Sequence, residues 1–169
     1  MTDQTDQTDP TDLSDQVGPN DLLLVRRLQA PRALVWRCWT DPALLPQWFC
    51  PKPWYVSDVV LELFPGGRFR STMHGPNGEE FPNEGMVLQA VPQEKLVFTD
   101  LMSAGFRPSD PGFFTAVIKL YDHPGGGTHY SALAMHRTPA DRQKHVEMGF
   151  EGGWGAAADQ LDALALTLK

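Results

Sequence analysis

Only two cysteines occur, Cys38 and Cys50. Each stands beside bulky apolar residues, with no histidine or second cysteine at metal-ligand spacing. This excludes a cysteine-based metal cluster and reads as two buried free thiols in a reducing cytoplasm. Long apolar runs are also missing. No stretch approaches the roughly 20 apolar residues of a membrane span, and the N-terminus lacks the basic start and apolar run of a secretory signal. Positive charge is scarce, with 14 Lys and Arg against 21 Asp and Glu and a formal net charge of −7. No basic stripe marks a nucleic-acid surface. The deficit is local: residues 1–20 hold five aspartates (Asp3, Asp6, Asp9, Asp12 and Asp15) and no Lys or Arg, leaving 16 acidic against 14 basic side chains elsewhere. That repetitive segment has too little apolar surface to offset its ordering entropy, so 1–20 is expected to be a disordered, solubilising tail and 21–169 a single domain.

Catalytic signatures are absent too. There is no Gly-x-Ser-x-Gly elbow and no phosphate loop ending in Gly-Lys-Ser/Thr. Gly153-x-Gly155-x-x-Ala158 imitates a dinucleotide fingerprint, but helical sequence precedes it where a strand is required.

What is present is punctuation. Fifteen glycines and fifteen prolines divide the chain into many short elements. "DLLLVRRL" suits a first strand. Pro31 then begins a helix with Leu34, Val35, Cys38 and Trp39 at helical spacing, and Asp41-Pro42 begins a second short helix that ends by about Phe49. From Trp54 to His136 the pattern changes to strands separated by "PGG", "GPNGEE", Pro92-Gln93 and "HPGGG". Asn77-Gly78 has the chemistry of a hairpin turn. These short connections predict an antiparallel meander of about six or seven strands.

From Pro139 the helical period returns, with Thr138 as its N-cap. Val146, Phe150, Trp154, Ala157, Leu161, Leu164 and Leu168 predict one helix of about 30 residues, about 45 Å long at 1.5 Å per residue. Gly149, Gly152, Gly153 and Gly155 sit inside it, each costing about 1 kcal/mol relative to alanine. Small residues on the inward side would leave room above a curved sheet, which is what a ligand cavity needs.

Five collinear blocks, "APRALVWRCWTDPALLPQWF", "PGGRFRSTMHGPNGEE", "EGMVLQAVPQEKLVFTD", "GGGTHYSALAM" and "EGGWGAAADQLDALA", resemble the SRPBCC superfamily. In particular, they are similar to its branch named for homology to the activator of the ninety-kilodalton heat-shock-protein ATPase. The resemblance spans about residues 22–168. It implies an α+β, START-like helix-grip fold, in which a curved antiparallel sheet wraps a long C-terminal helix around a deep cavity, with two short helices after the first strand. Two positions depart from the branch: its usual Pro-Asp-Gly turn reads Pro76-Asn77-Gly78, and a usually basic position before "PGG" is Phe64. "SAGFRPSDPGFF" (Ser103–Phe114) is a long loop with the character of a lid.

The residues chosen as cavity lining are Trp48, Phe49, Met73, Val87, Phe150, Gly153 and Trp154. The expected ligand is a small apolar or aromatic molecule, with no cofactor and no metal. His129 and His136 lie seven apart on one strand and face opposite sides. His145, near the start of the last helix, is placed to face the pocket mouth. Two other functions stay open: a chaperone-interaction module, implied by the branch name, and a cyclase-like or hydrolytic enzyme that would use His145 or Glu84. A second copy of the chain is the other protein partner left open.

Overall fold

The turn signals from Trp54 to His136 fold into a meander in the computed structural model, which describes residues 13–169. The disorder expected of residues 1–12 lies outside the described residues. The packed chain nevertheless begins before Asp21, because Leu13, in a short 3-10 turn (Leu13–Gln16), is fully buried. Strand β1 (Asp21–Leu28) leads to helix α1 (Arg32–Thr40) and a single 3-10 turn (Leu45–Gln47). The second predicted helix therefore shrinks to one turn. Asp41 does not cap it: the N-cap is Leu44, with no side-chain cap bond, and Asp41 Oδ1 instead accepts from Ala43 N at 2.8 Å in the turn before, while Pro46 lacks the N–H that a longer helix would need.

Next come β2 (Tyr55–Leu61), β3 (Arg68–His74), β4 (Glu80–Val91) and β5 (Lys95–Thr99), then a two-stranded pair, β6 (Met102–Ser103) and β7 (Arg107–Pro108). Strands β8 (Phe114–Asp122) and β9 (Thr128–His136) precede helices α2 (Pro139–Glu147) and α3 (Phe150–Ala165). The main sheet has seven antiparallel strands in the order β1-β9-β8-β5-β4-β3-β2. Register shifts at Ser57/Val60 in β2 and Val87/Gln89 in β4 mark bulges, and Asp58 sits in the first with φ 54°. Bulges bend a strand and raise its twist, so they help curl this end of the sheet. The predicted alternation holds in β3: Phe69 and Ser71 are buried, whereas Arg68 is exposed.

The 103–114 loop is anchored and not free. Its β6–β7 pair is tied down by Gly105 N donating to Gly66 O at 2.9 Å, and Phe106 N contacts Met86 Sδ at 3.1 Å.

The C-terminal segment is not one helix of 30 residues. Thr138 caps α2 as predicted, its Oγ1 accepting from Asp141 N at 3.1 Å. The helix then stops at Met148, and Gly149 adopts φ 87°, ψ 44°. A left-handed residue closes one helix and turns the chain into the next, which begins with Gly153 N donating to Gly149 O at 2.7 Å. The break changes which face points inward. Val146, assigned to the apolar stripe, is 42% exposed, while neighbouring His145 is buried.

Two polar side chains fasten α3. Asp162 accepts from the backbone N–H groups of Gln29 and Ala30, both at 2.9 Å. Gln160 donates to the carbonyls of Trp48 (2.9 Å) and Cys50 (2.7 Å) and accepts from Lys52 N at 2.9 Å. Each looks like an ordinary solvent-facing residue in the sequence, yet together they fix α3 against the β1–α1 connection and the 48–52 loop.

The glycines of this region should therefore respond differently to alanine. A Cβ at Gly149 or Gly152 meets no atom within 4 Å, but only Gly149 has positive φ. Gly149→Ala should lower stability by about 1–2 kcal/mol through the left-handed backbone alone. Gly152→Ala should raise it by roughly 0.5–1 kcal/mol. Urea unfolding of the two variants checks the opposite signs.

Candidate functional site: an aromatic cavity under the last helix

Between the concave face of the sheet and α3 lies a cavity of about 680 Å³. Phe150, Gly153, Trp154, Ala157 and Ala158 border it from α3. These positions are spaced i, i+3, i+4, i+7 and i+8, a single helical face. The sheet contributes Leu24, Phe69, Ser71, Met73, Phe98, Phe114 and Tyr130, and the 48–54 loop adds Trp48, Phe49, Pro51 and Trp54.

Six of the seven residues chosen from sequence border this space: Trp48, Phe49, Met73, Phe150, Gly153 and Trp154. Val87 does not. It is fully buried in the closed core, at the segment where the Pro65–Gly67 turn backs β4. There its N–H donates to Gly67 O and its carbonyl accepts from Gly66 N, both at 2.8 Å.

The glycines also separate by role. Gly153 alone faces the cavity from within α3, and a Cβ there would meet only Pro51 Cγ, at 3.9 Å. Gly155 is buried on another side, where a Cβ would lie 2.8 Å from the Arg26 guanidinium. Thinning of the inner helix face is thus the work of Gly153 with Ala157 and Ala158, while Gly155 admits Arg26 from β1.

Aromatic rings close one side of the interior. Trp39 packs edge-on against Trp48 at 4.7 Å between centroids, and Phe69 stacks on Phe98 at 4.7 Å. Trp48 Nε1 donates to Cys38 O at 2.9 Å, which pins the indole. The Trp39 indole N–H approaches the Tyr130 oxygen without closing a hydrogen bond and is buried without a partner.

The polar residues of the lining are mostly engaged in structural bonds. Asp100 Oδ1 accepts from Phe113 N (2.6 Å) and Phe114 N (3.0 Å). Thr99 Oγ1 lies 2.9 Å from Thr115 Oγ1 and accepts from Leu101 N at 3.1 Å. Glu84 borders the space, but its carboxylate reaches Arg68 (3.9 Å) and Arg70 (4.0 Å) and is half exposed. Burial raises the Cys50 thiol to about 11 and the Tyr130 phenol above its ordinary range. Neither ionises at neutral pH, so the cavity holds no thiolate or phenolate.

The histidines sort by place. His123 Nδ1 accepts from Gly125 N at 2.9 Å within the β8–β9 turn. His74 lies on the outer face of β3, with Nε2 2.6 Å from Ser57 Oγ and Tyr55 stacked on its ring. His145 borders the cavity, ringed by Phe113, Phe150, Phe114 and Trp154 at centroid distances of 5.1, 5.1, 5.4 and 5.6 Å. Its Nδ1 is 2.8 Å from Nε2 of buried His136, and His136 Nδ1 is 2.8 Å from Asn20 O. Sequence reasoning weighed His136 against His129 on one strand and took His145 by itself. The β9–α2 turn brings them together.

The architecture is that of a helix-grip protein: a curved antiparallel sheet, a covering C-terminal helix and a cavity between them. The model of the family described as activator of Hsp90 ATPase homolog 1-like protein matches residues 29–165, and the chain belongs to that family. A protein of Nitrosomonas europaea of known crystal structure is 43% identical with TM-score 0.85, over 89% of this chain and 97% of that one. A protein of Mycobacterium smegmatis is 26% identical with TM-score 0.70, over 85% and 89%. The AHSA1-like protein of Aeromonas hydrophila shares the fold at TM-score 0.63 and 19% identity, over 87% and 92%. None of the curated proteins matches the chain. Family and fold together define a ligand-binding or activator-like module. Among the described residues, no helix is long and apolar enough to cross a membrane.

Burial, and then neighbouring His136, lower the His145 pKa from 6.5 to about 4. A base whose folded pKa is depressed stabilises the fold fully above its unfolded value and loses that contribution as pH falls through the folded value. Between about pH 6.5 and pH 4 the protein should therefore lose about 3 kcal/mol through this group. Urea unfolding at pH 7 and pH 4.5 should show the loss, and His145→Phe should show a smaller one over the same interval.

Proposed function

We propose that this protein binds a small apolar or aromatic molecule in the cavity between sheet and α3, in a reducing cytoplasm. The observation that carries this reading is the cavity itself, about 680 Å³ and bordered by nine Phe and Trp side chains besides Trp39 and Phe81. Ligand pockets run to about 300–1,000 Å³ and are lined mostly by apolar and aromatic groups with a few polar atoms. A chain optimised for stability alone would place Leu or Phe at Gly153, since a void on this scale forfeits packing contacts. The activator-like reading draws on the family's name, and no surface feature among the described residues favours it over the cavity. An enzymatic reading would need a reactive group. Burial keeps Cys50 protonated, and Glu84 is turned toward Arg68 and Arg70.

The neutral fluorophore N-phenyl-1-naphthylamine tests the proposal. Its emission should rise on mixing with the protein and saturate at one equivalent. Gly153→Leu projects a side chain into the space from a helical position with room for it, and should weaken the probe's affinity at least tenfold without lowering Tm. Absence of saturable binding by the wild type would overturn the proposal, as would unchanged affinity in a folded Gly153→Leu variant.

A further inference from the structure

The hydrogen bonds behind His145 determine what its free nitrogen can do. Asn20 O is a carbonyl and can only accept, so His136 Nδ1 carries the proton of that 2.8 Å bond. Asn20 O also accepts the backbone N–H of His136 at 3.2 Å, which holds the ring's orientation. Among the described residues no carboxylate lies within ion-pair distance of either ring; the histidine that has one is His74, beside Glu80. With Nδ1 donating to Asn20 O, the neutral form of the His136 ring has Nε2 as its acceptor. It follows that His145 Nδ1 donates across the 2.8 Å contact. The neutral His145 ring then has its lone pair on Nε2.

That nitrogen is left without a hydrogen-bond partner among the described residues, on a side chain that borders the cavity. His145 is only 6% exposed and borders the space, and its Nε2 has no partner among the described residues. Trp39 Nε1 is the one side-chain nitrogen or oxygen among them that is sealed away with no partner, so His145 Nε2 is not sealed. Ser71 and Tyr130, each with a hydroxyl, and Asn83, with an amide that also both donates and accepts, border the cavity as well. A hydroxyl can donate or accept and so selects little, whereas the His145 lone pair only accepts.

Charge narrows the ligand further. The lining contains Glu84 and Asp100 but no Lys or Arg among the described residues. An anionic ligand would enter an apolar space with no Lys or Arg in its described lining and the Asp100 carboxylate beside it. We infer that the cavity selects uncharged aromatic compounds bearing a hydroxyl group, with His145 Nε2 accepting the hydroxyl hydrogen at the centre of the Phe113, Phe114, Phe150 and Trp154 rings. The inference rests on the cavity-binding reading above and specifies its ligand class. A phenol suits the place better than an aliphatic alcohol, because its ring matches the four rings around His145 and its hydroxyl is the stronger donor.

Three probes of one size separate the alternatives: 2-naphthol, 2-methoxynaphthalene and 2-naphthoate, titrated by quenching of tryptophan fluorescence at pH 7.5. The naphthol should bind about tenfold tighter than the ether, which leaves the acceptor unpaired, and at least tenfold tighter than the carboxylate. In His145→Phe the naphthol and the ether should bind within twofold of each other. Because the wild-type comparison needs no variant, a misfolded His145→Phe does not rescue the idea. As a second readout, the His145 Nε2 resonance of ¹⁵N-histidine-labelled protein should move on adding naphthol and stay in place with the ether. Equal binding of naphthol and ether by the wild type overturns the inference, and so does tighter binding of naphthoate. If N-phenyl-1-naphthylamine binds while none of the three naphthalenes does, the hydroxyl preference falls and the cavity reading stands. If nothing binds, both fall.

Discussion

The left-handed turn at Gly149 is where the geometry of the interior is decided, because the chain must satisfy two incompatible demands on either side of it. Helix α2 has to lie against the end of β9 so that His145 can reach His136 across 2.8 Å. Helix α3 has to lie across α1 and β1, where Asp162 and Gln160 hold it by the backbone of residues 29–30 and 48–52. A straight helix from Pro139 to Ala165 could meet one demand and not the other. Gly149, at φ 87°, turns the axis at little cost because it has no Cβ to clash. The turn also sets Phe150 and Trp154, with ring centroids 4.6 Å apart, beside His145. The aromatic wall of the cavity thus depends on one backbone conformation.

An interior left partly open must be held by its surroundings. Contacts missing across a void are lost outright, so the walls need other fastenings. The Trp39–Trp48 edge contact and the Phe69–Phe98 stack fill one side. The Trp48 N–H is bonded to Cys38 O, and the carbonyl of Trp48 accepts from Gln160. The same indole is therefore held at its ring and at its backbone by two different elements. Buried hydrogen bonds of this kind add modest net stability but are expensive to break, which fixes the shape of the wall more than it raises the total.

The fold was legible in the sequence because its signals are local. Turn residues at "PGG", Asn77-Gly78 and "HPGGG" marked the ends of strands, and alternation in "RFRSTMH" told inside from outside. Most of the cavity wall was legible for the same reason, since Phe150, Gly153 and Trp154 share one helical face. The hinge was not. A glycine in a helical pattern looks alike whether it spaces a packed face, as Gly153 does, or reverses φ, as Gly149 does. The apolar stripe ran through Val146 and concealed the change of face. Val87 alternates correctly with Gly85, but the closed core claims it next to the bulge. The His136–His145 pair and the fastening roles of Gln160 and Asp162 were hidden because each joins residues on elements whose approach is set only by the assembled fold.

The hidden pair matters most for chemistry because the cavity has so little other polarity to offer. Cys50 and Tyr130 are held protonated by burial, Asp100 Oδ1 accepts from two backbone N–H groups, and Glu84 leans toward Arg68 and Arg70 of β3. What remains is a largely aromatic space bordered by His145, which is tied from behind through His136 to Asn20 O. Such a chain positions a lone pair without placing a charge, so recognition can proceed without the desolvation cost of an ion pair.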